Sequence, residues 1–243
     1  MDDIDNARRP RNLIHWAARP SVVIVDHPNS GCDADLAAIV AALQVQATRD
    51  FAPLFQVDCV VTTAKEASPD AWVIGLFSDP DQPGALGYHD TTPTGLPLAK
   101  VFPKLDAQDG SALSVTISHE LLEMLADPLL SKAVQSPDGK FWAYEVCDAV
   151  ENDQYLIDKV PVSNFVTPQY FEPPPSSIGI LLDQMGLLKT PYEVRPGGYM
   201  QYFASGGWHQ VLHKETARRS YRVKTSGRTA RRVARTRVVD ATT

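Results

Sequence analysis

Three residues, His119, Glu120 and Glu123, form the part of the chain best suited to chemistry. They lie in the segment 117–128, ISHELLEMLADP, whose apolar spacing predicts one amphipathic helix. Residues at i and i+4 are one turn apart on one helix face, so His119 and Glu123 can bind a single metal ion with Glu120 beside them. This is the layout of the H-E-x-x-H zinc helix, in which Glu is the general base, but Glu123 stands where that motif has its second His. Because Zn²⁺ also accepts carboxylate oxygen, the segment predicts a metal site.

Acidic groups outside this motif could complete the site. Asp127 is on a similar helix face but roughly 12 Å along the axis from His119, so we interpret it as a helix-end or supporting residue. The segment 144–148, YEVCD, offers Glu145 and Asp148. In a strand these two side chains point to opposite faces. We therefore expect only one of them to bind the ion directly, and we expect Glu145.

Each of these residues also has a purely structural interpretation. The helix could turn Glu120 and Glu123 to solvent while its leucines pack inward. Glu145 and Asp148 could be solvated or paired carboxylates. The remaining candidate ligands are isolated histidines, which we interpret as structural or exposed: His89, His209 and His213.

Short β-branched runs and turn residues predict the elements that must position these groups. The predicted strands are 21–26, 57–62, 72–77, 85–89 and 98–102, with a helix over 34–48. The strand at 85–89 is predicted to lie at the edge of the sheet. After residue 140 the patterns become β-rich and loop-rich, and we expect residues 142–150 to pair with 155–162 through a turn at 151–153.

The order of these elements resembles the N-terminal subdomain of zincin metallopeptidases, especially the metzincins, over roughly residues 20–128. The resemblance implies an α+β, zincin-like fold, in which a mixed twisted sheet with an antiparallel edge strand packs on two helices. A β- and loop-rich C-terminal part would follow. In that family the edge strand holds an extended substrate by main-chain hydrogen bonds. Leu86, Gly87 and Tyr88 occupy the matching place in this chain.

The same resemblance implies a role for each residue of the helix motif. His119 and Glu123 would be metal ligands, and Glu120 the general base that takes a proton from a water activated by zinc. The carboxylate at position 123 would reduce the Lewis acidity of zinc and could favour another, harder divalent cation. Ala126 and Leu129 replace the Gly and third His of the metzincin continuation. A third ligand must therefore come from elsewhere.

Two further patterns resemble known metallopeptidases. Tyr199-Met200, after two glycines, is similar to the Met-containing turn beneath a metzincin metal site, although a core position is the simpler interpretation of Met200. The spacing H-E-x-x-E-x-x-x-D-P followed by W-x-x-E-x-x-D resembles a group of bacterial and phage-borne peptidase-like proteins. Other catalytic signatures, such as G-x-S-x-G, the P-loop and dinucleotide-binding glycines, do not occur. Cys147 lacks a well-placed His and is not expected to be a nucleophile.

These patterns predict a metal-dependent peptidase, with zinc as the expected ion, that hydrolyses an extended peptide or protein. The alternative is a non-catalytic protein of the same fold. It would be a structural or assembly component, for example of a phage or other particle, whose basic tail docks to a partner. The Glu at position 123 and the missing third His favour the alternative.

Charge is unevenly distributed along the chain. Residues 214–243 contain ten of the 23 Lys and Arg but only two of the 29 Asp and Glu, so this tail carries about +8 and residues 1–213 about −14. We interpret the tail as a solvated extension, or one packed on its own acidic body, with docking to an assembly partner as the alternative. Nucleic acid is a weaker candidate partner, because no aromatic residues or base-reading motif accompany the charge.

Composition indicates one globular domain over 21–213, between an N-terminal arm, 1–20, and a basic C-terminal extension, 214–243. With 243 residues, of which 44% are hydrophobic, the chain can bury a sizeable core. It has no apolar run of about 18 residues, no secretory signal at its start and no C-x-x-C spacing among three cysteines. We expect no membrane contact and a cytoplasmic or virion-associated protein.

Overall fold

The structure, a computed structural model of the chain, describes residues 19–81, 85–173 and 179–213, together with the backbone of 237–240. The described residues form two five-stranded sheets, a two-stranded hairpin and several helices. The protein therefore belongs to the mixed α+β class, which is the fold class that the sequence predicted.

Five strands form the first sheet, in the order β2-β1-β3-β5-β4. They are β1 (Ser21–Asp26), β2 (Val60–Ala64), β3 (Trp72–Leu76), β4 (Gly87–Thr91) and β5 (Pro97–Val101). All neighbouring pairs are parallel except β4, which runs antiparallel to β5 at the edge. The predicted antiparallel edge strand is confirmed, although it begins and ends two residues later than the pattern indicated.

The two longest helices of the described residues, the first and the fourth along the chain, pack on one face of this sheet. The helices are α1 (Leu36–Val45), α2 (Ala52–Phe55), α3 (Pro103–Asp109), α4 (Leu113–Ala126) and α5 (Pro168–Phe171). The helix predicted over 34–48 ends earlier, because a π-helical turn over Gln46–Phe51 follows α1. Leu43 of α1 and Leu121 of α4 share one buried cluster with Ile24 of β1 and Ile74 of β3. The core thus lies between the sheet and these two helices.

Helix α4 is enclosed rather than half solvated. Eleven of its 14 residues are buried, among them Glu120 and Glu123, so the interpretation of these glutamates as a solvated face is wrong. The helix ends before Asp127, whose carboxylate accepts hydrogen bonds from the N–H groups of Ser131 and Lys132. The predicted helix-end role of Asp127 is therefore confirmed.

The C-terminal half forms the second sheet and the hairpin. The remaining strands are β6 (Ala133–Gln135), β7 (Phe141–Ala143), β8 (Gln154–Ile157), β9 (Val160–Ser163), β10 (Tyr199–Ala204), β11 (Gly207–Leu212) and β12 (Arg237–Asp240). The second sheet has the order β12-β11-β10-β7-β6. The predicted pairing of 142–150 with 155–162 is wrong, because β7 pairs with β6 and β10. Asp158 and Lys159, both with positive φ, instead form a tight turn that pairs β8 with β9.

Most of both predicted terminal segments lies outside the described residues. These are 1–18 of the N-terminal arm and 214–236 and 241–243 of the basic extension. The backbone of β12 pairs in parallel with β11. Within the described part of the chain, no helix combines the length and the hydropathy needed to cross a membrane.

Candidate metal centre

Helix α4 presents the predicted motif to a cavity of about 270 Å³ that also borders the start of β4. One helical turn separates His119 from Glu123, and Nε2 of the imidazole lies 3.3 Å from Oε1 of the carboxylate. Glu120 lies beside them and lines the same cavity. The structure therefore brings together the three residues that the motif predicted.

A buried hydrogen-bond network fixes the orientation of α4 behind this motif. Ser118 Oγ donates to Oε1 of Gln46 (2.7 Å) and accepts from the N–H of Ser163 (3.0 Å). Nε2 of Gln46 in turn donates to the carbonyl oxygen of Ser163 (2.9 Å). Buried polar groups are costly to leave unpaired. The network therefore resists rotation of α4 and keeps His119, the next residue, facing the cavity.

Glu145 and Asp148 reach the cluster from a turn rather than from a strand. Strand β7 ends before both residues, and Asp148–Val150 form a short 3₁₀ helix. Strand alternation does not apply here, so the reason for expecting a single ligand is wrong, and Asp148 rather than the expected Glu145 groups with His119 and Glu123. Asp148 Oδ1 lies 3.4 Å from Nε2 of His119, and Glu145 Oε2 lies 3.6 Å from Nε2 of His89.

Close backbone packing holds the turn that carries Asp148. A Cβ atom at Gly198 would lie 2.6 Å from the carbonyl oxygen of Ala149 and 2.7 Å from that of Asp148. The N–H of Cys147 also donates to Oε1 of Glu123 across 3.3 Å, which connects the turn to α4. Only glycine at position 198 leaves room for this arrangement.

Sequence reasoning missed the position of His89. The residue is fully buried on β4, so it is not exposed. Its Nδ1 lies 3.3 Å from Oε2 of Glu123 and 3.6 Å from Oε2 of Glu120. Strand alternation could have found it. Gly87 lines the cavity, and a residue two positions further along an edge strand lies on the same face.

The predicted substrate-contacting residues separate into two groups. Leu86 and Gly87 line the cavity. The side chain of Tyr88 lies elsewhere and donates its hydroxyl hydrogen to Asp81, with O–O distances of 2.7 and 2.8 Å. Tyr88 is therefore not among the residues that line the cavity, unlike Leu86 and Gly87.

Burial and mutual proximity shift the ionisation of the clustered groups. Burial would lower the pKa of His119, but the attraction of Glu123 outweighs it and holds that pKa well above its usual value. Burial would raise the pKa of Glu123, yet the histidines lower it. Burial raises the pKa of Glu120 and of Asp148. With four carboxyl groups and two histidines, the cluster holds more acidic groups than its histidines can balance.

The spacing of these atoms fits a divalent metal ion. Zinc bonds of about 2.0–2.2 Å at tetrahedral angles place neighbouring ligand atoms about 3.3–3.6 Å apart. Nε2 of His119 lies 3.3 Å from Glu123 and 3.4 Å from Asp148, within this range. Direct charge-assisted N–H···O hydrogen bonds would be shorter, about 2.7–2.9 Å. A set of imidazole and carboxylate ligands suits zinc and also accepts harder divalent ions.

Three other residues considered in the sequence, His209, Cys147 and Met200, have the surroundings of structural rather than catalytic residues. His209 stacks on Tyr202, as expected of a structural histidine. Burial raises the pKa of the Cys147 thiol, which disfavours the nucleophilic thiolate. Met200 is buried in the core, as its simpler interpretation predicted, whereas the preceding Tyr199 lines the cavity and was not predicted to do so.

The structure thus gathers all five predicted catalytic and metal-binding residues into one cluster and adds His89. The five are His119, Glu120, Glu123, Glu145 and Asp148. Comparison with known family models, curated proteins and solved structures found no match to this chain. The donor atoms themselves define the available chemistry: they can bind a divalent cation next to a buried carboxylate that is able to move a proton.

Proposed function

We propose that this protein is a zincin-like, metal-dependent peptidase that hydrolyses an extended peptide or protein. The observation that carries the proposal is the convergence of His119, Glu123 and Asp148, with Glu120 beside them in a cavity. The mixed sheet with an antiparallel edge strand next to that cavity is the arrangement that the resemblance to zincins implies, and it supports the same assignment.

Four residues of the cluster carry the proposed reaction, three as metal ligands and one as the general base. His119, Glu123 and Asp148 would hold zinc or another divalent cation. When bound, the ion supplies a Lewis acid that polarises a carbonyl group and acidifies water. Glu120 accepts the proton of the attacking water on its carboxylate and returns it to the leaving amine. Its burial raises its pKa, which makes the ionised carboxylate a stronger base.

Strand β4 is the element that we propose to align the substrate. Among the described strands it pairs with β5 alone. Its other edge therefore has main-chain N–H and C=O groups to which an extended peptide could add as a further strand. Leu86 and Gly87, where β4 begins, line the same cavity as Glu120. A peptide bound along this edge would pass next to the proposed base.

A non-catalytic structural or assembly role is the second candidate. Two of the three proposed donors, Glu123 and Asp148, are carboxylates, and their negative charge reduces the Lewis acidity of zinc. This role predicts a protein that binds a metal ion firmly but cleaves no peptide. Docking of a partner through the basic extension would belong to it, and residues 214–236 of that extension lie outside the described part of the chain.

Metal removal and return separate these candidates. Chelated full-length protein is incubated with a mixed peptide library before and after addition of one equivalent of zinc. We expect cleavage to be absent from the metal-free sample and restored by zinc. Asp148→Asn should weaken zinc binding and cleavage together, whereas His209→Ala, a histidine outside the cluster, should match the parent in both.

The outcomes differ clearly between the two roles. Firm zinc binding without cleavage of any peptide would support the assembly role over the peptidase. A protein that cannot be loaded with zinc or another divalent cation would contradict both metal-based roles.

A further inference from the structure

His89 has two buried ring nitrogens for which the described residues supply no hydrogen-bond partner. Both ring nitrogens are inaccessible to solvent, and neither makes a hydrogen bond within the described part of the chain. Nδ1 instead points to the carboxylates of Glu123 and Glu120, at 3.3 and 3.6 Å. These separations again match the spacing of about 3.3–3.6 Å expected between two ligands of one zinc ion.

Glu123 lies between the two histidines. Its Oε1 faces Nε2 of His119 at 3.3 Å, and its Oε2 faces Nδ1 of His89 at 3.3 Å. A carboxylate with a separate coordinating group at each oxygen has the geometry of a bridging ligand. In two-metal sites the ions are about 3.5–4 Å apart, a separation that one bridging carboxylate can span.

Charge also favours two ions over one. The cluster contains four buried carboxylates, and its two histidines must be neutral in order to coordinate a metal. One divalent cation would leave two negative charges in a buried site, whereas two would balance all four carboxylates. In the described part of the chain, the ion-pair contacts of Glu120, Glu123 and Asp148 are all with histidines.

We propose a second divalent-cation site formed by His89, Glu120 and Glu123, adjacent to the site of the proposed function and sharing Glu123 with it. Nδ1 of His89 is the imidazole ligand. Glu145, 3.6 Å from the opposite nitrogen, orients the ring, as carboxylates commonly do behind metal-bound histidines. The inference rests on the proposed function for the first ion and adds a consequence. Because the second ion engages Glu120, its binding removes the general base, so cleavage rises with the first equivalent of metal and falls with the second.

Metal stoichiometry tests this site independently of activity. Metal-free full-length protein is titrated with Zn²⁺ by calorimetry, and the ions retained after gel filtration are counted by elemental analysis. We expect two ions in the parent and one in His89→Ala. The control variant His209→Ala should retain two, because His209 lies outside the cluster.

A spectroscopic measurement on the parent protein keeps the test decisive even if His89→Ala fails to fold. With Co²⁺, a second equivalent should produce exchange coupling between two ions through Glu123, seen as a change in the electron paramagnetic resonance signal. Retention of a single ion by the parent, or of two ions by folded His89→Ala, would overturn the proposal. One ion with zinc-dependent cleavage would leave the proposed function standing without the second site. Two ions in the parent without any cleavage would support the second site and contradict the proposed function.

Discussion

Gly87 on β4 approaches the side chain of Glu120 so closely that a Cβ atom at position 87 would lie 2.9 Å from Oε1. The same atom would lie 2.9 Å from Cγ2 of Thr116, one helical turn earlier. The edge strand and the proposed base are therefore positioned against each other. Because glycine has no Cβ atom, it permits this close approach of β4 to Glu120, whereas any other residue at position 87 would force a neighbouring side chain to shift.

Gly87→Ala should reduce peptide cleavage more than it reduces zinc binding. The added methyl group displaces the carboxylate of Glu120, and loss of positioned general-base catalysis costs about 10²–10⁴-fold in rate. Steady-state cleavage and calorimetric zinc affinity are measured side by side. Gly207→Ala is the matched control, because a Cβ atom there meets nothing within 4 Å. Equal activity of Gly87→Ala and Gly207→Ala would contradict the placement of Glu120.

Gly198→Ala should weaken metal binding itself. The added Cβ atom would meet the carbonyl oxygens of Asp148 and Ala149, at 2.7 and 2.6 Å, and backbone atoms cannot move aside as a flexible side chain can. Overpacking of this kind destabilises by about 1–3 kcal/mol, and displacement of the turn should also lower zinc affinity. Thermal unfolding and zinc titration measure the two effects. Unchanged zinc affinity in the folded variant would show that Asp148 does not bind the ion.

Ser118→Ala should destabilise the protein without removing any cluster residue. The substitution leaves Oε1 of Gln46 and the N–H of Ser163 without the partner that the hydroxyl provides. A buried polar group left unpaired costs about 1–3 kcal/mol. Urea unfolding gives the change in free energy, with the exposed Ser131→Ala as control. If both variants unfold at the same urea concentration, the network does not stabilise α4.

Zinc binding should release protons and weaken as the pH falls. Nearby carboxylates outweigh the effect of burial and raise the pKa of His119 and of His89. Both imidazoles are therefore protonated in the metal-free protein over a wider pH range than free histidine, and they must lose that proton to coordinate. Affinity should increase as pH rises through this range. Calorimetry in two buffers of different ionisation enthalpy measures the protons released, and identical heats in both buffers would contradict this account.

Local patterns predicted those parts of the fold that are determined by contiguous residues. The β-branched run Ser21–Asp26 forms β1 with the predicted bounds, because such a run suits a buried parallel strand. The spacing of His119 and Glu123 placed both on one helix face, and the structure agrees. Helix α4 runs from Leu113 to Ala126, so it includes the motif and ends just before Asp127 and Pro128, because the residue before a proline disfavours the helical conformation.

Long-range contacts explain what the sequence did not reveal. His89 is distant from α4 along the chain, and only the pairing of β4 with β5 places it against Glu120 and Glu123. The segment 144–150 has the composition of a strand but forms a turn, because contacts with Gly198 and Glu123 outweigh its local preference. Both Glu145 and Asp148 consequently reach the cluster.

The most direct test of the central claim compares the parent with Glu120→Gln, each loaded with one equivalent of zinc and assayed on the same peptide. The substitution keeps the size of the side chain but removes its ability to accept a proton. We predict equal zinc content and a fall in cleavage rate of at least about 100-fold. Cleavage by Glu120→Gln at the rate of the parent would contradict the proposed mechanism.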